Sequence, residues 1–109
     1  MKDLEFPPDF VFGVATSAYQ VEGGIENDWS DWERAGKCKE PDARCGRSVE
    51  HWERFFDDVP LITRLGATAY RLSIEWARVE PERGKWDDAA WAGYRARLEA
   101  LVKAGIRPV

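Results

Sequence analysis

Cysteine and histidine are scarce in this sequence, with two and one respectively among 109 residues. Cys38 and Cys45 lack the paired CxxC spacing of a zinc site, and two cysteines are too few for a secreted disulfide scaffold. They read as free thiols, a disulfide within their polar loop being the alternative. The single histidine, His51, has no serine or cysteine motif near it and reads as a packed or half-exposed side chain. Nowhere do about eighteen apolar residues run together, and "MKDLEFPPDF" at the start has no apolar core, so neither a membrane span nor a signal peptide is expected. The expected location is cytoplasmic. A basic excess is missing too: 16 Lys and Arg stand against 20 Asp and Glu, a net charge of −4, with the basic residues scattered. That balance argues against a nucleic-acid partner. Low-complexity tracts are absent and 44% of residues are hydrophobic, which excludes a disordered chain and suits one small domain with a real core.

What is present alternates between strand and helix signals. "FVFGVA" (10–15) is a short apolar run between "PPD" and "TS", the pattern of a strand covered on both faces. From about Val21 to Arg47 there is no periodicity, and the segment reads as a long functional loop. Ser48 is a candidate helix cap, followed by Val49, Trp52, Phe56, Val59, Ile62 and Leu65 at helical spacing and by Gly66 as a stop. Pro60 falls inside that helix and predicts a kink, since it lacks an amide donor and crowds the carbonyl of Phe56.

"ATAYRLSIEW" (67–76) alternates as a strand, with Tyr70, Leu72, Ile74 and Trp76 on one side and Arg71, Ser73 and Glu75 on the other. After the "PERG" turn, Asp87 can cap a second helix with a stripe of Trp91, Tyr94, Leu98, Leu101 and Val102, ending at Gly105. "GIRPV" then opens a third strand. The order β-α-β-α-β requires parallel strands joined by right-handed crossovers. Three parallel strands alone leave an apolar face uncovered, so 1–109 reads as a piece of something larger. In a barrel, Tyr70, Leu72 and Ile74 would face the helices while Arg71, Ser73 and Glu75 point into the lumen, and Gln20 and Glu22 would reach the same rim. An ordinary half-solvated strand is the alternative for 67–76.

The stretch "FVFGVATSAYQVEGG" (10–24) resembles the N-terminal signature of glycoside hydrolase family 1, the β-glucosidase and β-galactosidase group. An aromatic-x-aromatic-Gly strand is followed by small residues, an aromatic and Gln-x-Glu-Gly. "VEHWERFFDDVPLITRLGATAYRLSIEWARVEP" is similar to the family's first helix and second strand, "WDDAAWAGYRARLEALVKAGI" to its second helix, and "GIRPV" to the opening of its third strand. The resemblance covers the chain outside the variable loop 25–47.

It implies an α/β fold, the N-terminal β-α-β-α-β portion of a (β/α)8 barrel: strands one and two, helices one and two, and the start of strand three. The implied activity is hydrolysis of β-linked O-glycosides with retention, through a nucleophilic and an acid/base glutamate set about 5 Å apart. In the family both lie on later strands, so no catalytic glutamate is expected within 1–109. Two carboxylates near adjacent strand ends, Glu22 and Glu75, invite a substitute assignment. The resemblance opposes it: Glu22 belongs to the Gln-x-Glu-Gly turn, where it is expected to hold the loop, and the position of Glu75 varies between Ser and Glu.

By resemblance, Gln20 is the substrate-binding residue. A side-chain amide offers an acceptor and two donors and so can bridge vicinal hydroxyls of a sugar; a loop-capping amide is the alternative. Arg71 resembles the arginine that keeps the downstream nucleophile ionised. No cofactor or metal is implied. The implied partners are a β-glycoside substrate and the remainder of the barrel. Among the tryptophans, Trp52 and Trp91 are expected in the core, Trp29 and Trp32 in the long loop, and Trp76 at the rim. A non-catalytic carbohydrate-binding or scaffold fragment, or a truncated product without activity of its own, are the competing readings.

Overall fold

The structure is a computed structural model and describes residues 3–109. In chain order the elements are β1 (Gly13–Ala15), α1 (Ala18–Val21), α2 (Asp28–Arg34), α3 (His51–Arg64), β2 (Ala69–Arg71), α4 (Trp76–Val79), α5 (Asp88–Lys103) and β3 (Arg107–Pro108). The strands form one parallel sheet in the order β1-β2-β3, with Gly13 opposite Ala69, Ala15 opposite Arg71 and Ala69 opposite Arg107. Two long helices, α3 and α5, make the crossovers. The expected β-α-β-α-β order is therefore present.

One face of the sheet is packed and the other is bare. Phe55, Val59 and Ile62 of α3, Leu101 of α5, Tyr70 of β2 and Ile106 form the core, with Val14, Ala67 and Leu72 against it. Tyr70 and Leu72 thus face the helices as alternation predicts. A second cluster joins Val79 of α4 to Ala90 and Tyr94 of α5, with Trp52 packed on it. On the opposite face Gly13, Ala15 and Arg71 are exposed, so β1 is not covered on both sides as its composition suggested. The rings of Phe6, Phe10 and Phe12 pack on one another at 4.6–5.1 Å between centroids yet remain about half exposed.

Several local expectations give way to specific contacts. Ser48 does not cap α3. Its backbone is left-handed at φ 49°, its hydroxyl donates to the carbonyl of Gln20, and Glu50, also left-handed at φ 56°, stands at the N-cap without a capping bond, its carboxylate turned to Arg47 and Arg54 instead. Pro60 lies within a helix that runs on from His51 to Arg64. Both Pro60 and Phe56, whose carbonyl loses its helical donor, are on the exposed side, where water can take that place.

The strand read over 67–76 is regular only from Ala69 to Arg71, with Thr68 and Leu72 still bonded to Phe12 and Val109 through their amides, before Ser73 and Glu75 engage other segments and the chain turns into α4 at Trp76. Ile74 and Trp76 are exposed as a result, 45% and 71%, so Ile74 is not on the helix-facing side. The α5 stripe is rotated from the expected one. Ala90, Tyr94, Arg97 and Leu101 are buried, while Trp91 and Val102 are exposed. Asp87 caps α5 as predicted, accepting from the amide of Ala90 at 2.9 Å, and Gly66 and Gly105 end the two long helices with φ of +74° and +75°.

The long segment is not featureless. It contains α2, capped by Asn27, whose Oδ1 accepts from the amides of Trp29 and Ser30 at 2.9 and 3.2 Å while the Ser30 hydroxyl accepts from the Asn27 amide. The amide of Gly24 donates to the carbonyl of Gly46 at 2.8 Å and closes the neck of this excursion. Cys38 and Cys45, both within it, are free. No helix among the described residues is long and apolar enough to cross a membrane.

Candidate functional site

β1 and β2 end side by side, and the segments leaving them gather at that end of the sheet. The amide of Thr16 donates to the carbonyl of Arg71 at 3.1 Å, carrying the pairing one residue past β1. The chain then enters α1, a single turn held from outside itself. The Ala18 amide donates to Ser73 Oγ at 2.7 Å, Cys45 Sγ donates to the Tyr19 carbonyl at 2.9 Å, and Ser48 holds the Gln20 carbonyl. A one-turn helix has no stability of its own. These tethers from two distant parts of the chain, residues 45–48 and Ser73, fix the backbone of residues 18–20.

The backbone of Gln20 is held while its side chain is exposed and lines an open groove of about 440 Å³ with Tyr19, Trp29, Glu33, Cys38 and Cys45. Apolar and aromatic walls with a few polar groups at this size suit a small-molecule site. The groove's outer wall is α2, so Trp29 reaches the site through a helix that hydrophobic periodicity does not reveal. Arg71 is the last residue of β2, exposed on the bare face of the sheet, and makes no ion pair among the described residues. Gln20 and Arg71 thus belong to the same end of the sheet, each on a segment that continues past its strand.

Glu22 has a different environment. It is 6% exposed, accepts from Arg78 Nε at 3.0 Å and from the Tyr94 hydroxyl at 3.1 and 3.2 Å, and follows α1 directly. Burial pushes its carboxyl above the usual range, opposed by the attraction of Arg78 and the bonds from Tyr94 and Arg78. The Tyr94 hydroxyl also accepts the amide of Glu75 at 2.9 Å.

Arg97 completes the cluster. Its guanidinium lies 3.5 Å from the centre of the Trp52 ring, donates to the carbonyls of Trp52 and Gly93, and is buried enough to lower its pKa. Arg78 lies over the same ring at 4.0 Å. Glu22 therefore ties the turn after α1 to α4 and α5, the holding role the Gln-x-Glu-Gly resemblance implies. Glu75 is committed as well, accepting from the Ala77 amide at 3.4 Å and from Asn27 Nδ2 at 3.2 Å. It does not point into an open lumen as strand alternation suggested. Arg78 and Arg97 are not singled out by the sequence, because an arginine looks like surface until its buried partners are known, and Tyr94 is read there only as part of an apolar stripe. Among the described residues no group of three or more His, Cys, Asp or Glu side chains is placed to hold a metal ion.

The family described as Glycosyl hydrolase family 1 matches residues 2–109. The chain belongs to that family. It is 38% identical over 111 residues to the coniferin beta-glucosidase of Pinus contorta, covering 94% of this chain and 21% of that protein. It is 37% identical over 113 residues to a protein of Oryza sativa subsp. japonica named "Probable inactive beta-glucosidase 14", covering 95% and 22%. Among solved structures, the beta-glycosidase from Pyrococcus horikoshii superposes with a TM-score of 0.87 at 44% identity, over 97% of this chain and 25% of that one. The chain thus spans between a fifth and a quarter of the length of these relatives. Within the family 1 barrel it is a partial α/β unit, the parallel β-α-β-α-β portion at the N-terminal side.

Proposed function

We propose that residues 1–109 are the N-terminal part of a retaining β-glycosidase acting on β-linked O-glycosides, and that they contribute the sugar-gripping turn of its deepest subsite. The observation that carries this is the contrast within one motif: Gln20 is held by its backbone with its amide open to a groove, while Glu22, two residues on, is locked inward on Arg78 and Tyr94. An exposed amide on a fixed backbone is suited to bridging two hydroxyls of one ring. The resemblance assigns this residue to the sugar, and the open groove supports it.

Arg71, at the end of β2 on the bare face, is suited to sit beside a nucleophilic carboxylate from a later strand and keep it ionised. Both catalytic glutamates are assigned to sequence after Val109. Glu22 and Glu75, each committed to amide, hydroxyl or guanidinium donors, serve as supports. By this reading 1–109 alone turns nothing over.

The test is steady-state kinetics of the full-length protein on a nitrophenyl β-glucoside, with and without Gln20→Ala. Loss of two neutral hydrogen bonds of about 1–1.5 kcal/mol each lowers kcat/KM by roughly 30- to 200-fold while the melting temperature hardly moves. Full kcat/KM with a melting temperature several degrees lower would make Gln20 a loop cap. A full-length protein that binds the glycoside without hydrolysing it would favour the non-catalytic carbohydrate-binding reading.

A further inference from the structure

The only histidine of the chain lies between an acid and a phenol. His51, 8% exposed on the first turn of α3, places Nδ1 2.6 Å from Asp58 Oδ2 and Nε2 3.0 Å from the Tyr70 hydroxyl. The Tyr70 hydroxyl in turn bonds to Thr16 Oγ1. Four side chains thus run in series from Asp58, which is partly open to solvent, through the core to Thr16 at the end of β1, the residue whose amide holds the carbonyl of Arg71.

Donors and acceptors along this line can be matched in few ways. Asp58 as a carboxylate only accepts, so at 2.6 Å the facing Nδ1 must carry a proton. A neutral ring then has a bare Nε2, and the Tyr70 hydroxyl must donate to it. Having one proton, Tyr70 can only accept from Thr16. The opposite tautomer would set a lone pair against a carboxylate oxygen and leave Nε2–H directed at the phenol. Burial raises the pKa of Tyr70, keeping it a phenol with a proton to give.

The other ionisable groups nearby lie across a void of about 10 Å³, roughly the room of one water, where Glu22, Tyr94 and Arg97 line the wall with His51 and Thr16. Glu22 there is engaged by Arg78 and Tyr94, and Arg97 by backbone carbonyls, so neither bonds to the imidazole.

We infer that Asp58, His51, Tyr70 and Thr16 form a tautomer-fixed relay of hydrogen bonds in which Nδ1 carries the proton and Nε2 accepts from Tyr70, and that this relay positions the end of β1 from which the Gln20 turn departs. Asp58, Tyr70 and Thr16 are positioning residues in this scheme, acting on Gln20 only through the backbone.

The experiment uses the full-length protein with its histidine rings labelled with ¹⁵N, the His51 signals being assigned by their loss in His51→Gln. In the parent the Nδ1 resonance should be that of a protonated nitrogen and the Nε2 resonance that of a hydrogen-bond acceptor, and Asp58→Ala should move the ring to the Nε2–H form. A ring protonated on Nε2 alone in the parent, a tautomer indifferent to Asp58→Ala, or a ring protonated on both nitrogens would each overturn the relay.

The positioning claim rests on the reading of Gln20 given above and has its own readout. Tyr70→Phe, which keeps the ring in the core, should lower kcat/KM about 10-fold, mostly through KM. His51→Gln, which still offers Tyr70 an acceptor, should lose less than His51→Ala. Equal losses for the two His51 variants, or an unchanged kcat/KM in Tyr70→Phe, would overturn it. A full-length protein without glycosidase activity would refute the reading of Gln20 and leave the tautomer result to decide the relay.

Discussion

Asn27 Nδ2 donates to Glu75 Oε1 at 3.2 Å, joining two residues that each cap a helix, Asn27 at α2 and Glu75 at α4. Through this pair the helix that walls the groove is fastened to the segment following β2. Asn27→Ala should lose both the cap and the link, a destabilisation of about 1–2 kcal/mol. Asn27→Asp keeps the cap oxygen but sets a carboxylate against Glu75, so it should retain the helix and lose the fastening. Chemical denaturation of the two variants beside the parent gives the comparison. Equal stability of Asn27→Asp and the parent would show that the cross-link contributes nothing.

Glu22 gives a pH dependence whose sign follows from its environment. Its folded-state pKa is raised above the 4.5 of the free group, so between that value and the folded pKa the folded protein binds more protons than the unfolded one. Stability contributed at this site is therefore greatest below about 4.5 and declines as pH rises through the folded pKa. Measured against Glu22→Gln, which cannot titrate, the parent should lose relative stability from acid toward neutral pH. A difference that is flat with pH, or that grows toward neutrality, would contradict this assignment. Glu22→Ala should be far worse than Glu22→Gln at any pH, by about 3 kcal/mol, since it leaves Arg78 and Tyr94 without an acceptor.

Gly23 and Gly24 offer a paired test of the turn. Both have positive φ, 82° and 66°, but a Cβ at Gly23 would meet the carbonyl oxygen of Arg47 at 2.1 Å, whereas one at Gly24 meets nothing within 4 Å. Gly24→Ala should cost about 1–2 kcal/mol of backbone strain. Gly23→Ala must also push the Arg47 segment away and should destabilise by clearly more. Thermal melts of the two variants decide it, and equal melting temperatures would mean that residues 23 and 47 separate at little cost.

The isolated chain should self-associate. Phe6, Phe10, Val11 and Phe12, together with Ile74, Trp76 and Trp91, are each 41% or more exposed, and the sheet has two open edges and a bare face. Sedimentation of purified 1–109 should show oligomers or aggregates, with a broad thermal transition. A monomer with a sharp cooperative melt would establish 1–109 as an autonomous domain.

How much of the fold and site is legible in the sequence depends on which force sets each feature. The two long helices, three parallel strands and glycine stops follow from periodicity and backbone sterics, which are local. Trp52 and His51 are packed as expected, because their neighbours in sequence already form an apolar stripe. Ser48, Arg97 and α2 defeat a local reading for one shared reason. Ser48 is drawn to a carbonyl 28 positions away, Arg97 is buried by acceptors at Gly93 and Trp52 and lies near Glu22, and α2 exposes Trp29 and Trp32 where an amphipathic reading would bury them. The one local trace of α2 is its cap, an asparagine three residues before a serine in a run of early acids and a late arginine, Asp28, Asp31 and Arg34. Gln20 and Glu22 are placed at the rim by the strand that precedes them, but their separate roles come only from the family resemblance, since nothing in their immediate sequence says which of the two points outward.

The closure between Gly24 and Gly46 separates two evolutionary problems. Inside that neck, residues 25–44 can lengthen or shorten at an entropic cost of only about 0.6 kcal/mol per doubling, while the neck and the bonds from Cys45 and Ser48 keep α1 where it is. The groove's outer wall can consequently diverge in length and lining without disturbing the backbone that presents Gln20. If Gln20 grips the sugar as proposed above, a protein built this way can exchange what it accepts at the far side of the groove and keep unchanged the hand with which it holds the ring.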